Sequence, residues 1–188
     1  MKEFSVVIYQ LTRPFAYLLI KHEDKYIYDW LIPGVGLVLL FLLVHFLGLN
    51  LFQVFSLMES LSGFVSSLPG FFIAALAAVS TFNRADIDRF VEGAETPKIR
   101  SLVGDRKIPI RLTKRRFLCL LFSYLSALSI VISIIGILPS SVSFFDANDV
   151  AKSFWGSILF SCFYFMMIMQ LLSTTLYGLY YLGDRMHH

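Results

Sequence analysis

Four stretches of the chain run for 20 residues or more without a single Asp, Glu, Lys or Arg: 30–49, 61–82, 117–138 and 154–182. Crossing a hydrocarbon core of about 30 Å takes roughly 20 apolar residues in a helix. In lipid each unpaired backbone N–H or C=O costs several kcal/mol, so segments of this kind must be helical. Short alternating segments, the mark of a membrane β-barrel, are absent from the sequence. The pattern therefore predicts an all-α polytopic membrane protein of four transmembrane helices.

Details within the stretches refine this picture. Pro33 falls in the first turn of the first span, where a missing N–H is tolerated. Pro69 lies inside the second, where it either kinks the helix or marks its true start. The fourth stretch exceeds the core thickness, so it tilts or projects, and Tyr177, Tyr180 and Tyr181 stand where an aromatic belt would lie. The organisation expected is an N-terminal interfacial segment (1–29), a first helix pair (30–82), a charged loop (83–116), a second pair (117–182) and a short C-terminus (183–188). The N-terminal segment reads as an amphipathic stretch along the membrane face, broken at Arg13–Pro14, rather than as a cleaved signal peptide.

Composition agrees with the pattern. Of 188 residues 57% are hydrophobic and only 15% charged, against about 25% charged in soluble domains. The net charge of +3 is modest, but its placement is one-sided. Fifteen of the sixteen Lys and Arg residues fall in the N-terminal segment, the 83–116 loop and the C-terminus; the exception is Lys152. Four spans put those three regions on one side, which the positive-inside rule makes cytoplasmic. The chain is expected to be multi-pass with both termini inside.

The 83–116 loop is longer than topology needs, since bundle connections run to about two to eight residues. It is segregated by sign, with acidic residues before the basic run. Arg84, Asp86, Asp88, Arg89, Glu92, Arg106, Lys107, Arg111, Lys114, Arg115 and Arg116 are the candidates for contact with a soluble cytoplasmic protein or with the anionic inner leaflet. Asn83 or Asp86 can cap a short helix through Phe90, and Pro97 and Pro109 are expected to stop regular structure. Without a folded platform or interleaved aromatics, direct nucleic-acid binding is not expected.

Span two places small residues every four positions: Ser66, Gly70, Ala74 and Ala78. Helices in lipid associate through close backbone approach, so this face marks an interface, within one bundle or between subunits of a homo-oligomer. Gln170, Ser129, Ser133 and Thr174 are the polar residues that can join helices or line a pore. Hydroxyls more often bond back to their own helix. Catalysis has little to work with. Cys119 and Cys162 lie in or at the ends of spans, His45 has no titratable neighbour in its span, and no nucleotide, nucleophile or zinc motif is present. No enzyme, cofactor or metal is expected.

The stretches "LPGFFIAALAAVSTFNR", "LTKRRFLCLLFSYLSALS" and "TTLYGLYYLGDRMH", in a four-span plan with one long inner loop, resemble small membrane subunits of bacterial anti-phage defence systems, most of all the Kiwa type. That resemblance implies a homo-oligomer, a tetramer, which binds a soluble DNA-binding partner at its cytoplasmic face and responds to infection at the envelope. The resemblance, and not the charge count, also implies a bacterial inner membrane as the localisation. It carries over no catalytic residue. The expected function is a non-enzymatic sensor and scaffold; the alternative is an oligomeric pore or channel that depolarises the membrane.

Overall fold

A computed structural model of the chain describes residues 2–20, 25–81, 88–90, 98–103, 106–141 and 150–183. Helix α1 (Lys2–Thr12) passes at Arg13 into a 3-10 segment (Arg13–Leu19), with Pro14 in its first turn. A π-helical turn (Ile27–Leu31) leads directly into α2 (Ile32–Phe46). Helices α3 (Leu51–Val65) and α4 (Leu68–Thr81) follow. Strands β1 (Lys98–Val103) and β2 (Arg106–Arg111) form an antiparallel pair. The long helices α5 (Lys114–Ser141) and α6 (Val150–Gly183) complete the chain.

Four helical units are long and apolar enough to cross a membrane: Ile27–Phe46, Leu51–Thr81, Lys114–Leu138 and Trp155–Gly183. Their outward surface is apolar. Phe46 is 90% exposed and Phe52 81% exposed, positions that water would penalise and lipid would not. Helix α5 is the axis, packing against α3, α4, α6 and the 3-10 segment, while α2 lies on α6. The core therefore draws most heavily on α5: Leu118, Leu121, Leu125 and Ile132 are fully enclosed.

The stretch between the first two apolar runs, 50–60, is helical apart from its capping residue Asn50. Asn50 caps α3 by accepting a hydrogen bond from the Gln53 backbone N–H at 3.0 Å, while its own N–H donates to the Gln53 side chain at 2.9 Å. This reciprocal box starts a helix wherever it occurs. The turn before it is closed by Gly48, whose φ of 65° suits a residue without Cβ. Helices α3 and α4 are together one of these four units, broken in its middle. Pro69 lies in the first turn of α4 and cannot donate to the preceding turn. Ser66 Oγ donates to the Gly63 carbonyl and Ser67 Oγ to that of Phe64, which satisfies backbone oxygens at the break.

In the half of the bundle farther from the strands, three helices meet at a close-packed node. Ser62 Oγ donates to the Ser133 carbonyl at 2.8 Å, and Tyr164 Oη to the Met58 carbonyl at 3.0 Å. Gly136 makes this approach feasible: a Cβ there would lie 2.5 Å from that of Ser62.

Candidate functional site at the hairpin end of the bundle

The starts of α2 and α5, the ends of α4 and α6 and the 3-10 segment all converge at one end of the bundle. Here Tyr17 is buried and stacks on Tyr124, with ring centroids 5.1 Å apart. Phe117 fills the space between Tyr17, Tyr177 and Tyr181, and Tyr28 packs on Tyr177 at 4.7 Å. Of the three tyrosines expected in an aromatic belt, Tyr181 is buried and Tyr177 half-buried; Tyr180 alone is exposed. Tyr180 and Tyr181 are adjacent on α6, so one can face outward while the other turns in.

Inside this aromatic shell sits an ion pair. Asp29, on the π-helical turn, is buried; its carboxylate lies 3.1 Å from Lys25 Nζ and accepts a hydrogen bond from Tyr17 Oη at 3.2 Å. Lys25 also donates to the Tyr17 carbonyl at 2.7 Å and lies 4.5 Å from the centre of the Tyr17 ring. Each charge thus has a partner, which makes burial tolerable. Burial raises the Tyr17 phenol far above its ordinary value, and the nearby Asp29 charge adds to the rise. Burial likewise lowers the Lys25 ammonium, with Asp29 opposing it. The arrangement pins the N-terminal segment to α5 and α2. Neither Lys25 nor Asp29 was picked out by sequence reasoning; the available signal was a Lys and an Asp four apart among the aromatics of "KYIYDW".

Beside the shell, a cleft of about 210 Å³ is lined by Tyr28, Ile32, Ser173, Leu176, Tyr177 and Tyr180. Ser173 Oγ donates to the Tyr28 carbonyl at 2.8 Å, a carbonyl carried on the π-helical turn.

The charged segment between α4 and α5 contains ordered structure that was not expected. Pro109 does not stop regular structure; it is a strand residue, opposite Arg100. Its missing N–H is harmless because it lies on the edge of a two-stranded sheet. By register, Lys98, Arg100, Lys107 and Arg111 share one face with Leu102 and Pro109, and Ile99, Val103, Ile108 and Ile110 share the other with Ser101 and Arg106. Ile108 is 44% exposed, and among the described residues the main contacts of the strands are with each other.

No family model, curated protein or solved structure matches this chain.

The expected contact residues divide among these features. Arg84, Asp86 and Glu92 lie outside the described residues. Asp88 and Arg115 form an ion pair: Nε approaches one carboxylate oxygen at 3.0 Å, and Nη2 donates to the other at 3.0 Å. Arg115 Nη1 also reaches the Ser80 carbonyl at the end of α4 at 3.4 Å. Arg89 is exposed, and its carbonyl accepts the Lys114 N–H at 2.9 Å. Lys114 is only 5% exposed, so it does not present an open surface as expected; it sits where α5 starts against the bridge between Phe90 and Thr113. Arg116 is half-buried, and its N–H donates to the capping Oγ of Thr113. Arg106, Lys107 and Arg111 belong to β2.

Ser66, Gly70, Ala74 and Ala78 are all exposed on this chain. Helix α4 turns Phe72 and Val79 inward instead, and packs on α5. Ser129 is buried and donates to the Ser126 carbonyl; Ser133 is half-buried and donates to that of Ser129, so both hydroxyls return to their own helix. Gln170 is half-buried, and Thr174 is fully buried with no hydrogen-bond partner for its Oγ1 among the described residues. No group of three His, Cys, Asp or Glu residues is placed to hold a metal among the described residues.

Proposed function

We propose that this chain is a non-enzymatic membrane scaffold and sensor subunit that holds a soluble cytoplasmic protein through the segment between α4 and α5. The hairpin carries this reading. It is a two-stranded, two-faced element that leads at one end into α5. Most of the chain's basic charge lies at or near it, which by the positive-inside rule puts it in the cytosol. The exposed stripe of Ser66, Gly70, Ala74 and Ala78 supports a homo-oligomer, in which lipid-facing small residues would meet a second copy. Anti-phage defence is the biological setting proposed, with a disturbance of the envelope shifting helix packing and thereby the hairpin.

The test is co-purification with the soluble protein encoded beside this gene. Replacing residues 98–111 by a Gly/Ser linker should abolish capture while leaving the protein in the membrane and of unchanged oligomeric state. Capture that survives the replacement refutes the scaffold. The competing reading is an oligomeric pore. Because Ser129 and Ser133 commit their hydroxyls to their own helix, one chain offers that pore little lining. A sealed bilayer under activating conditions would dismiss it.

A further inference from the structure

We propose that the outer edge of β1 is a strand acceptor, which takes one extended segment of alternating acidic and apolar residues from a soluble partner as a third strand. This rests on the scaffold reading and names the surface and chemistry it would use. The argument begins with register. Two residues separate Val103 from Arg106, so these form the hydrogen-bonded pair that closes the hairpin. Antiparallel pairs alternate, so Ser101–Ile108 and Ile99–Ile110 are also hydrogen-bonded. The pairs between them, including Arg100–Pro109, aim their backbone groups outward.

The two outward edges are then unequal. On β2 the central outward position is Pro109, which has no N–H to offer. On β1 the corresponding residue is Arg100, and every outward donor and acceptor is present. Among the described residues no third strand lies on that edge, and a complete strand edge is a template for an added strand. The side chains of that strand would alternate with the faces of the hairpin. One set would adjoin the basic face of Lys98, Arg100, Lys107 and Arg111, and the other the face of the isoleucines, where Ile108 is left open. Charge complementarity therefore selects Glu or Asp at alternate positions and apolar residues between them.

Two other occupants fit less well. A second copy of the chain pairing across a two-fold axis centred on β1 would set Arg100 against Arg100, a destabilising like-charge pair. A bilayer surface offers no backbone partner for the edge, and it can meet only one of two opposed faces.

The experiment uses the full chain in nanodiscs of neutral phosphatidylcholine, with a fluorescent eight-residue peptide of alternating Glu and Val as the probe. Anisotropy should report saturable binding. A peptide of the same composition in blocks, and one N-methylated at alternate residues, should each bind about tenfold more weakly, the equivalent of about one unmet backbone hydrogen bond. Arg100→Pro removes the central outward N–H as Pro109 does on the other strand, and should weaken the probe about tenfold; Arg100→Ala, which removes the charge alone, about threefold. Equal binding of the three peptides, or equal loss in the two variants, would overturn strand addition. The peptide comparison leaves the protein untouched, so it decides even if Arg100→Pro disturbs the hairpin. Loss of binding when phosphatidylglycerol is added to the nanodisc would place the basic face on lipid and overturn the proposal as well. If replacing residues 98–111 abolishes partner capture while Arg100→Pro and Arg100→Ala bind the probe alike, the edge fails and the scaffold stands. If capture survives that replacement, the scaffold itself fails.

Discussion

Replacing Gly136 by alanine tests the packing of the bundle at its tightest point. The new Cβ would lie 2.5 Å from Ser62 Cβ and 2.7 Å from Tyr164 Oη. Carbon atoms in contact prefer about 3.5–4.0 Å, so α3 and α5 must separate by about 1 Å. Ser62 Cβ is one bond from the backbone and cannot swing aside. Separation also stretches the 2.8 Å bond from Ser62 Oγ to the Ser133 carbonyl. Overpacking costs about 1–3 kcal/mol and a lost interhelical hydrogen bond about 0.6 kcal/mol, while alanine regains about 1 kcal/mol of helix propensity; the net loss is about 0.5–2.5 kcal/mol. Two further glycines supply the scale. At Gly34 a Cβ meets nothing within 4 Å, so alanine there should be neutral or stabilising. At Gly178 the obstacle is Leu121 Cδ2 at 2.9 Å, the end of a side chain that can rotate, so the effect should fall between the two. Unfolding in SDS-containing mixed micelles reads all three. If Gly136→Ala matches Gly34→Ala, the close approach of α3 to α5 is wrong.

Three other outcomes follow from the hairpin end. Asp29→Asn strands a buried ammonium, because the side chain of Lys25 is only 12% exposed, and should cost of the order of 3 kcal/mol in the same assay. Lys25→Met with Asp29→Leu should recover much of that loss, and a double variant no better than Asp29→Asn would argue against a buried pair. The raised phenol of Tyr17 makes stability depend on pH: it is fully present below the ordinary pKa of 10.0 and falls above it, as the unfolded chain ionises while the folded one does not. Tyr17→Phe should flatten that alkaline decline, and an unchanged slope would refute the assignment. Finally, with Cys119 and Cys162 replaced by serine, a cysteine at exposed Ile108 should react with a membrane-impermeant maleimide in inside-out vesicles and not in intact cells; labelling from outside reverses the orientation proposed.

The spans were legible because lipid imposes a single requirement, length without charge, and α5 and α6 extend only a few residues beyond the apolar runs that predict them. The Asn50–Gln53 box was equally visible in the sequence, yet the apolar runs alone place the second span at 61–82; an uncharged run marks what can sit in lipid and not where a helix starts. The spacing of the small residues puts them on one face, but spacing does not determine whether that face turns to α5 or away from it, and Phe72 and Val79 take the inner position. The hairpin was hidden for a different reason. Its strands alternate basic with apolar residues, so no run is apolar enough to stand out, and Pro109 looked like a breaker. Only register shows that its missing N–H faces outward. Asp29 was missed because a carboxylate at the start of an apolar run reads as the edge of the span, whereas Tyr17, distant in sequence, comes back to enclose it.

The hairpin's isolation has an energetic consequence for whatever it binds. Two strands without a third, or without a helix beneath them, are marginal in water. Among the described residues β1 and β2 pair only with each other, and the Arg115–Asp88 ion pair near their base is half open to solvent, with 60% of the Asp88 side chain exposed. An exposed pair of this kind is worth about 1 kcal/mol or less, so it adds little to what holds the hairpin. A third strand would stabilise the first two as it bound. Part of its gross contact energy would then go into ordering the hairpin, so partner affinity should understate the contacts made. In the sensor proposed, the same coupling would supply the handle: a change at the α4–α5 ends that loosens Arg115 from Ser80 and Asp88 would act on an element near its own stability limit, where a shift of about 1 kcal/mol changes a bound population several-fold.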